Sequence, residues 1–150
     1  MLKIFYKKAT CKVPMMTSRN NRMFAVHTKF TKQHEWIKYD DVSKEGTFGI
    51  TDYAQKELGD IVFVDFPFKG DKFNQGDVIG AVESVKTSAQ VYVPVQSEVI
   101  ENNTEIETNP ALVNEDPHGK GWISKLKITN EEDITKLMDE KQYKEYLATL

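Results

Sequence analysis

Apolar residues in this chain fall mostly into short runs broken by polar turn formers, the pattern of strands rather than of long helices. Residues 28–50, TKFTKQHEWIKYDDVSKEGTFGI, read as two strands. Trp36, Ile37 and Tyr39 are the apolar members of the first, Phe48 and Ile50 of the second, and DDVSKEG is the turn between them. TDYAQKELGD then supplies one short helix, with a start at Thr51, an acid in the first turn at Asp52 and a stop at Gly59. DIVFVDFP, DVIGAVES, AQVYVPV and EVIEN follow as strand candidates, divided by Gly70-Asp71, Gly76-Asp77, a turn around Lys86, and Gln96-Ser97. Three of the segments in this region, GDIVFVDFP, GDVIGAVES and SEVIENNTE, each place a small residue and an acid before a β run, a faint echo of quasi-symmetric hairpins. Beyond Trp122 the strand ISKLKI precedes a terminal helix. There Asn130 can cap, Glu131, Glu132 and Asp133 favour the first turn, Ile134, Leu137 and Met138 fall at helical spacing, and a break is expected near Asp139. Short strands at this spacing argue for a mainly β barrel or sandwich with short peripheral helices, not a parallel α/β sheet.

Length adds that one domain with one modest core is expected among the 150 residues. Charge divides the chain. Eight basic residues precede the first acid, Glu35, and setting residues 1–24 aside leaves 14 basic against 23 acidic residues. The segment MLKIFYKKATCKVPMMTSRNNRMF is basic, acid-free and hydroxyl-containing, and can gather Leu2, Ile4, Phe5 and Ala9 on one helical face before Pro14. That is transit-peptide composition, so residues 1–24 are read as a mitochondrial transit peptide and 25–150 as the mature domain of a matrix protein. Arg22-Met23-Phe24 before Ala25 supplies a cleavage site with arginine three residues before the cut. The alternative for this segment is a basic tail for nucleic acid or an acidic membrane; the transit reading needs neither partner. No apolar run is long enough for a secretory core or a membrane-spanning helix.

Candidate chemistry is sparse. Cys11 is the only cysteine, which rules out an internal disulfide and a cysteine-based zinc site, and His27, His34 and His118 lack metal-ligand spacing. No Gly-x-Ser-x-Gly or clustered phosphate-binding glycines occur. Glu35 beside Trp36 either holds a carboxylate against an apolar wall or is a solvated acid flanking a core tryptophan. What remains is Lys86 in GAVESVKTSAQVYVP, residues 80–94: a single lysine on a compact polar turn between two β-like runs, either an ordinary solvated charge or a presented attachment point.

Glu83-Ser84-Val85-Lys86 at the end of one strand, and Tyr92-x-Pro94 in the next, resemble the lipoyl-attachment motif of the glycine cleavage H-protein family. The likeness runs in order over about residues 30 to 150, through KFTKQHEWIK, FGITDYAQKELGDIVFVDFP, GAVESVKTSAQVYVPV, NPALVNEDPHGKGW and the acidic terminal helix. Generic lipoyl domains usually carry Asp-Lys-Ala at this tip and biotin carriers Met-Lys-Met; Val85-Lys86-Thr87 is similar to neither.

The resemblance implies a barrel-sandwich hybrid, lipoyl-domain-like, with two small antiparallel sheets and helices at its margins. It implies covalent lipoate on Lys86, with Glu83, Ser84 and Val85 recognised as part of the attachment turn by a lipoylating enzyme, and Glu35 as a cleft contact to the aminomethyl arm. The chain would then be a carrier rather than an enzyme. It would take an aminomethyl group from a pyridoxal-phosphate-dependent glycine decarboxylase to a folate-dependent aminomethyltransferase and be reoxidised by dihydrolipoamide dehydrogenase. Two other readings use the same surface: a lipoate relay to other proteins, or an unmodified β-domain adaptor. The sequence departs from the family's pattern at Gln33 and Gln90, two positions lining the sheltering cleft, at His118 for a common tyrosine, and at Ser97 where glycine is usual. A turn there with φ > 0 would strain Ser97 by about 1–2 kcal/mol.

Overall fold

The structure is a computed structural model that describes residues 26–150, so the expected transit segment lies outside the described residues. Two antiparallel sheets face each other. The larger is built from β1 (Val26–Phe30), β2 (Glu35–Asp40), β3 (Glu45–Ile50), and, later in the chain, β5 (Lys72–Phe73), β8 (Ser97–Asn102) and β9 (Ser124–Ile128), in the spatial order β1-β2-β3-β9-β8-β5. The smaller holds β4 (Ile61–Asp65), β6 (Val78–Ser84) and β7 (Ser88–Tyr92), in the order β4-β6-β7. This is the barrel-sandwich arrangement the sequence pointed to. Between the sheets lies an apolar core that includes Ile37, Phe48, Val82, Val91, Val95, Val99 and Leu126.

Residues 28–50 divide differently from the expected pair of strands. A third strand, β1, precedes them, and its Val26-His27-Thr28-Lys29-Phe30 register against Asp40 to Trp36 is held by the ladder rather than by apolar alternation. β2 is buried on both faces. Ile37 and Tyr39 face the main core, whereas Trp36 joins Phe30 and Tyr143 in a second cluster under the C-terminal helix. Trp36 Nε1 donates to the carbonyls of Ile50 and Pro117 at 2.9 and 3.0 Å, so its polar edge is satisfied inside the protein.

Helix α1 (Asp52–Leu58) starts at Thr51, whose Oγ1 accepts from Ala54 N at 3.3 Å, and ends at Gly59 with φ 79°. Two one-turn helices, α2 (Glu105–Thr108) and α3 (Leu112–Glu115), were not foreseen; each buries one apolar residue, Ile106 and Val113, too little for a periodic signal. The terminal helix does break near Asp139. α4 (Glu132–Thr135) gives way to a bridge between Met138 and Phe30, and α5 (Glu140–Leu147) restarts with a reciprocal capping box between Asp139 and Gln142. Asn130 stands one residue outside the cap of α4, at Glu131, yet its Oδ1 still accepts from Glu132 N at 3.1 Å.

Ser97 does not carry the anticipated strain. Among the described residues only His34 (φ 71°) and Lys44 (φ 60°) are non-glycine residues at positive φ; Ser97 opens β8 and its buried hydroxyl donates to Val95 O at 3.0 Å. Glycine is needed at Gly80 instead, beside a register shift in β6, because a Cβ there would collide with the carbonyl oxygen of Asp65 on the neighbouring strand.

His118, for which the sequence offered no role, closes the start of α1. Its Nε2 accepts from Asp52 N at 3.1 Å, and its ring lies 5.7 Å from Trp36 at an interplanar angle of 15°. A helix leaves its first amides without internal partners, and a neutral imidazole supplies one acceptor here. Burial, and secondarily Lys38, holds the His118 pKa below the ordinary value, with Asp52, Asp116 and Glu140 acting in the opposite sense. The unfolded chain therefore binds a proton more readily at this residue, and the stability His118 contributes is complete above about pH 6.5 and is lost as the pH falls towards the lowered folded value. His118→Gln should cost about 1 kcal/mol at pH 7.5, and its deficit relative to wild type should shrink at pH 5 in urea unfolding; a deficit that grows on acidification would contradict this assignment.

Candidate functional site

β6 and β7 form a hairpin whose last paired residues are Glu83 and Ser88. The turn between them is organised by Ser84. Its amide donates to Thr87 O at 2.8 Å, while its Oγ accepts from the amides of Lys86 and Thr87 at 3.3 and 3.1 Å. One further bond ties the turn to the body: Val85 N donates to Asp60 O at 3.0 Å. The tip is thus held from within and from below.

Lys86 is exposed and joins no ion pair among the described residues. Its side chain passes over the end of α1. A Cβ built on Gly59 would stand 3.4 Å from Lys86 Cε and 3.8 Å from Nζ, ordinary contact distances, so the lysine stem lies against the helix end while the positive φ of Gly59 is what requires glycine there. Glu83 and Val85, the flanking candidates, are exposed as well, and Val85 is 70% accessible. An exposed primary amine on a rigid turn fits covalent attachment of an acyl group.

Beside the hairpin is a cleft of about 280 Å³, lined in part by Gln33, Glu35, Tyr53, Glu57 and Gln90. The structure brings Gln33 and Glu35, from one segment, together with Gln90 from another. It adds Tyr53 and Glu57, which sequence reasoning missed although they stand four apart on one face of α1. Glu57 is exposed at the rim.

Glu35 is no solvated acid. It is 1% exposed; Oε1 accepts from Tyr92 N at 3.1 Å, Oε2 accepts from Thr31 Oγ1, and Glu35 N donates back to Thr31 Oγ1 at 3.1 Å. Burial raises its carboxyl pKa, against the hydrogen bonds from Thr31, from the Tyr92 amide and from its own backbone. Both oxygens are therefore engaged by the protein.

His34, at the cleft edge, is hydrogen-bonded through Nδ1 to Tyr143 Oη at 2.9 Å, and Tyr143 Oη in turn to Thr51 Oγ1 at 2.8 Å. This chain stitches α5, the β1–β2 turn and the start of α1 into one cleft wall. Burial lowers the His34 pKa, opposed by Glu57. Among the described residues no group of histidine, cysteine or carboxylate side chains is arranged to hold a metal.

The glycine cleavage H-protein family matches residues 28–150. The glycine cleavage system H protein of Carboxydothermus hydrogenoformans is 48% identical over 119 residues, covering 79% of this chain and 90% of the relative. That of Bacteroides fragilis is 48% identical over 122 residues, covering 81% and 94%. The crystal structure of a glycine cleavage system H protein from Mycobacterium marinum superposes with a TM-score of 0.72 at 30% identity, over 83% of this chain and 97% of that one. With the family model matching residues 28–150 and relatives at 48% identity covered almost throughout, the chain belongs to the glycine cleavage H-protein family.

Proposed function

We propose that this protein is the lipoyl-lysine carrier of a glycine cleavage system, with lipoate attached through an amide to Lys86. The observation that carries this reading is the tip itself: an exposed lysine on a turn fixed by Ser84 and latched to Asp60. The bound group supplies the dithiolane chemistry of redox change and aminomethyl acceptance. The chain's own residues do the rest. Ser84 holds the turn so that Lys86 projects, and Glu83 and Val85 are presented with it for recognition by a lipoylating enzyme. Holding the tip in one shape lowers the ordering cost each partner meets on docking.

The cleft beside the hairpin shelters the loaded arm from water. Glu35 lines this cleft and fixes Tyr92 and Thr31 through its two carboxylate oxygens, which supports a role as an arm contact through the wall it holds. Glu57 and the amides of Gln33 and Gln90 supply further polar groups on the same walls. As a carrier, the protein is a shared substrate for three enzymes: the pyridoxal-phosphate-dependent glycine decarboxylase, the folate-dependent aminomethyltransferase and the flavin-containing dihydrolipoamide dehydrogenase. The excess of acid over base beyond residue 24 favours encounter with partners that present positive surface.

The site of action follows from the front end: a basic, acid-free segment ahead of the matched region supports import into the mitochondrial matrix and cleavage after Phe24. Intact mass of the protein recovered from mitochondria should correspond to a chain starting at or near Ala25; recovery of the whole chain with residues 1–24 retained would count against import processing.

Peptide mapping of the same material should place the lipoyl mass on Lys86, and Lys86→Arg should abolish both the modification and glycine-dependent bicarbonate exchange while leaving the unfolding midpoint unchanged. Exchange retained in Lys86→Arg would defeat the carrier reading.

Glu35→Gln keeps an acceptor for Tyr92 N and should lipoylate normally while the arm-borne aminomethyl group is hydrolysed faster. Glu35→Ala orphans that amide and should in addition lose about 1–3 kcal/mol of stability. An unchanged hydrolysis rate in Glu35→Gln would remove Glu35 from the arm contacts.

A further inference from the structure

The smaller sheet carries large apolar side chains on its outer side, next to the lysine. β4 runs antiparallel to β6, with Ile61 opposite Ser84 and Phe63 opposite Glu83, and the register shifts between them so that Val62 is an extra residue. A bulge re-aims side chains; here Val62 and Phe63 are both about half exposed, at 52% and 51%. Phe63 stands directly across from Glu83, and the Val85 amide is bonded to Asp60, immediately before β4. Val62, Phe63 and Val85 thus make an apolar strip at the foot of Lys86.

The strip is not isolated. Phe63 is also a wall of a groove of about 520 Å³ with Phe66, Pro67 and Phe68, bordered by Asp65 and Glu107. Phe68 is 81% exposed. Among the described residues none of Asp60, Asp65, Glu83 or Glu107 takes part in an ion pair. Single exposed apolar residues are ordinary on a protein surface, but a contiguous apolar surface rimmed by charge marks an interaction site. Unpaired carboxylates on that rim call for a basic counterpart.

Reach distinguishes the candidate partners. An enzyme that acylates Lys86 must bring a reacting carbonyl to Nζ, one side chain away from the turn backbone, so its surface has to cover the flanks of the turn. Enzymes serving the far end of a finished arm stand off by the arm's length. We propose that the strip of Val62, Phe63 and Val85, with the carboxylates of Asp60, Asp65 and Glu83 beside it, is the docking surface for the lipoate-attaching enzyme, which meets it with apolar side chains flanked by lysine or arginine. In the reaction so positioned, unprotonated Nζ attacks the carbonyl carbon of a lipoyl adenylate. The C–N bond forms as the bond to the phosphate oxygen breaks, AMP leaves, and the nitrogen releases a proton.

This inference rests on Lys86 as the attachment residue, and failure of that reading shows separately, as a wild-type protein that takes up lipoate elsewhere on peptide mapping. The test is the rate of loading by a purified lipoate–protein ligase with ATP and lipoate, followed by intact mass at varied carrier concentration. The double substitution Val62→Ser with Phe63→Ser should lower kcat/KM about ten-fold, chiefly through KM. Val42→Ser, which removes an equally exposed valine (56%) from the β2–β3 turn, should leave it unchanged. Raising salt should weaken wild-type loading. If the serine pair lowers the urea midpoint, Asp65→Lys reads the same surface at an exposed position and should also reduce kcat/KM. Once driven to full loading with excess ligase, the serine variant should be reoxidised by dihydrolipoamide dehydrogenase at the wild-type rate. Unchanged loading in both the serine pair and Asp65→Lys would overturn the proposal. So would a wild-type dimer in sedimentation that the serine pair dissolves, which would make the strip a self-interface, or reoxidation impaired as much as loading.

Discussion

The hydrogen bond from the Tyr92 amide to the buried Glu35 carboxylate joins the two sheets where the function requires them to be rigid. Glu35 belongs to the larger sheet and Tyr92 to the return strand of the hairpin in the smaller one. The sheets otherwise meet through side-chain packing, which is insensitive to direction; a hydrogen bond to a backbone amide fixes where the hairpin root lies against β2. Thr31 completes the arrangement from the β1–β2 turn, bonding both to the carboxylate and to the Glu35 amide. A buried carboxylate without these partners would be expensive. With them it becomes a bolt between layers, and the same bolt forms part of the cleft wall.

Two sets of contacts then divide the work on the hairpin. Its root is set by Glu35 and by the packing of Val82 and Val91 in the core; its tip is set by Ser84 and by the bond from Val85 to Asp60. Neither set uses the lysine side chain. Acylation of the Lys86 amine, as proposed, would consequently remove no interaction that maintains the fold and orphan no ion-pair partner among the described residues. Recognition can also be read by partners from main-chain shape and from the exposed Glu83 and Val85, which remain in place whether or not the arm is attached.

Much of the fold was legible because strands that face a core on one side alternate visibly, as Val82 and Val91 do with their exposed neighbours. The turn that carries Lys86 was legible as a turn from local chemistry, a hydroxyl and a lysine between two β-prone runs, whereas its reading as an attachment point came from the resemblance to the family. β1 escaped notice because it is a polar sequence recruited by ladder hydrogen bonds, and β5 because two residues carry no period. The burial of Glu35 was not readable either, since the sequence does not show whether a carboxylate on a strand meets water or a distant amide 57 positions away. His118 is the same case, its acceptor role depending on Asp52 across 66 residues of chain. The bulge that turns Val62 outward is set by pairing with β6, which pattern alone does not reveal.

Helix α1 links the two halves of the site in a way that follows from its length. It begins under His118 and Thr51, presents Tyr53 and Glu57 to the cleft, and ends at Gly59 beneath Lys86. On the proposed attachment at Lys86, the root of the arm stands at the end of the same helix that carries Tyr53 and Glu57 into the cleft. A side chain at Gly59 would strain the positive-φ cap and meet the Lys86 stem only in ordinary contact, so it is the backbone conformation, not the lysine, that calls for glycine there. With the arm on Lys86 as proposed, shelter and release are alternative positions of one arm about its attachment point. The hydrogen bonds that hold the wall and the turn do not involve the lysine side chain, so movement of the proposed arm between these positions breaks none of them.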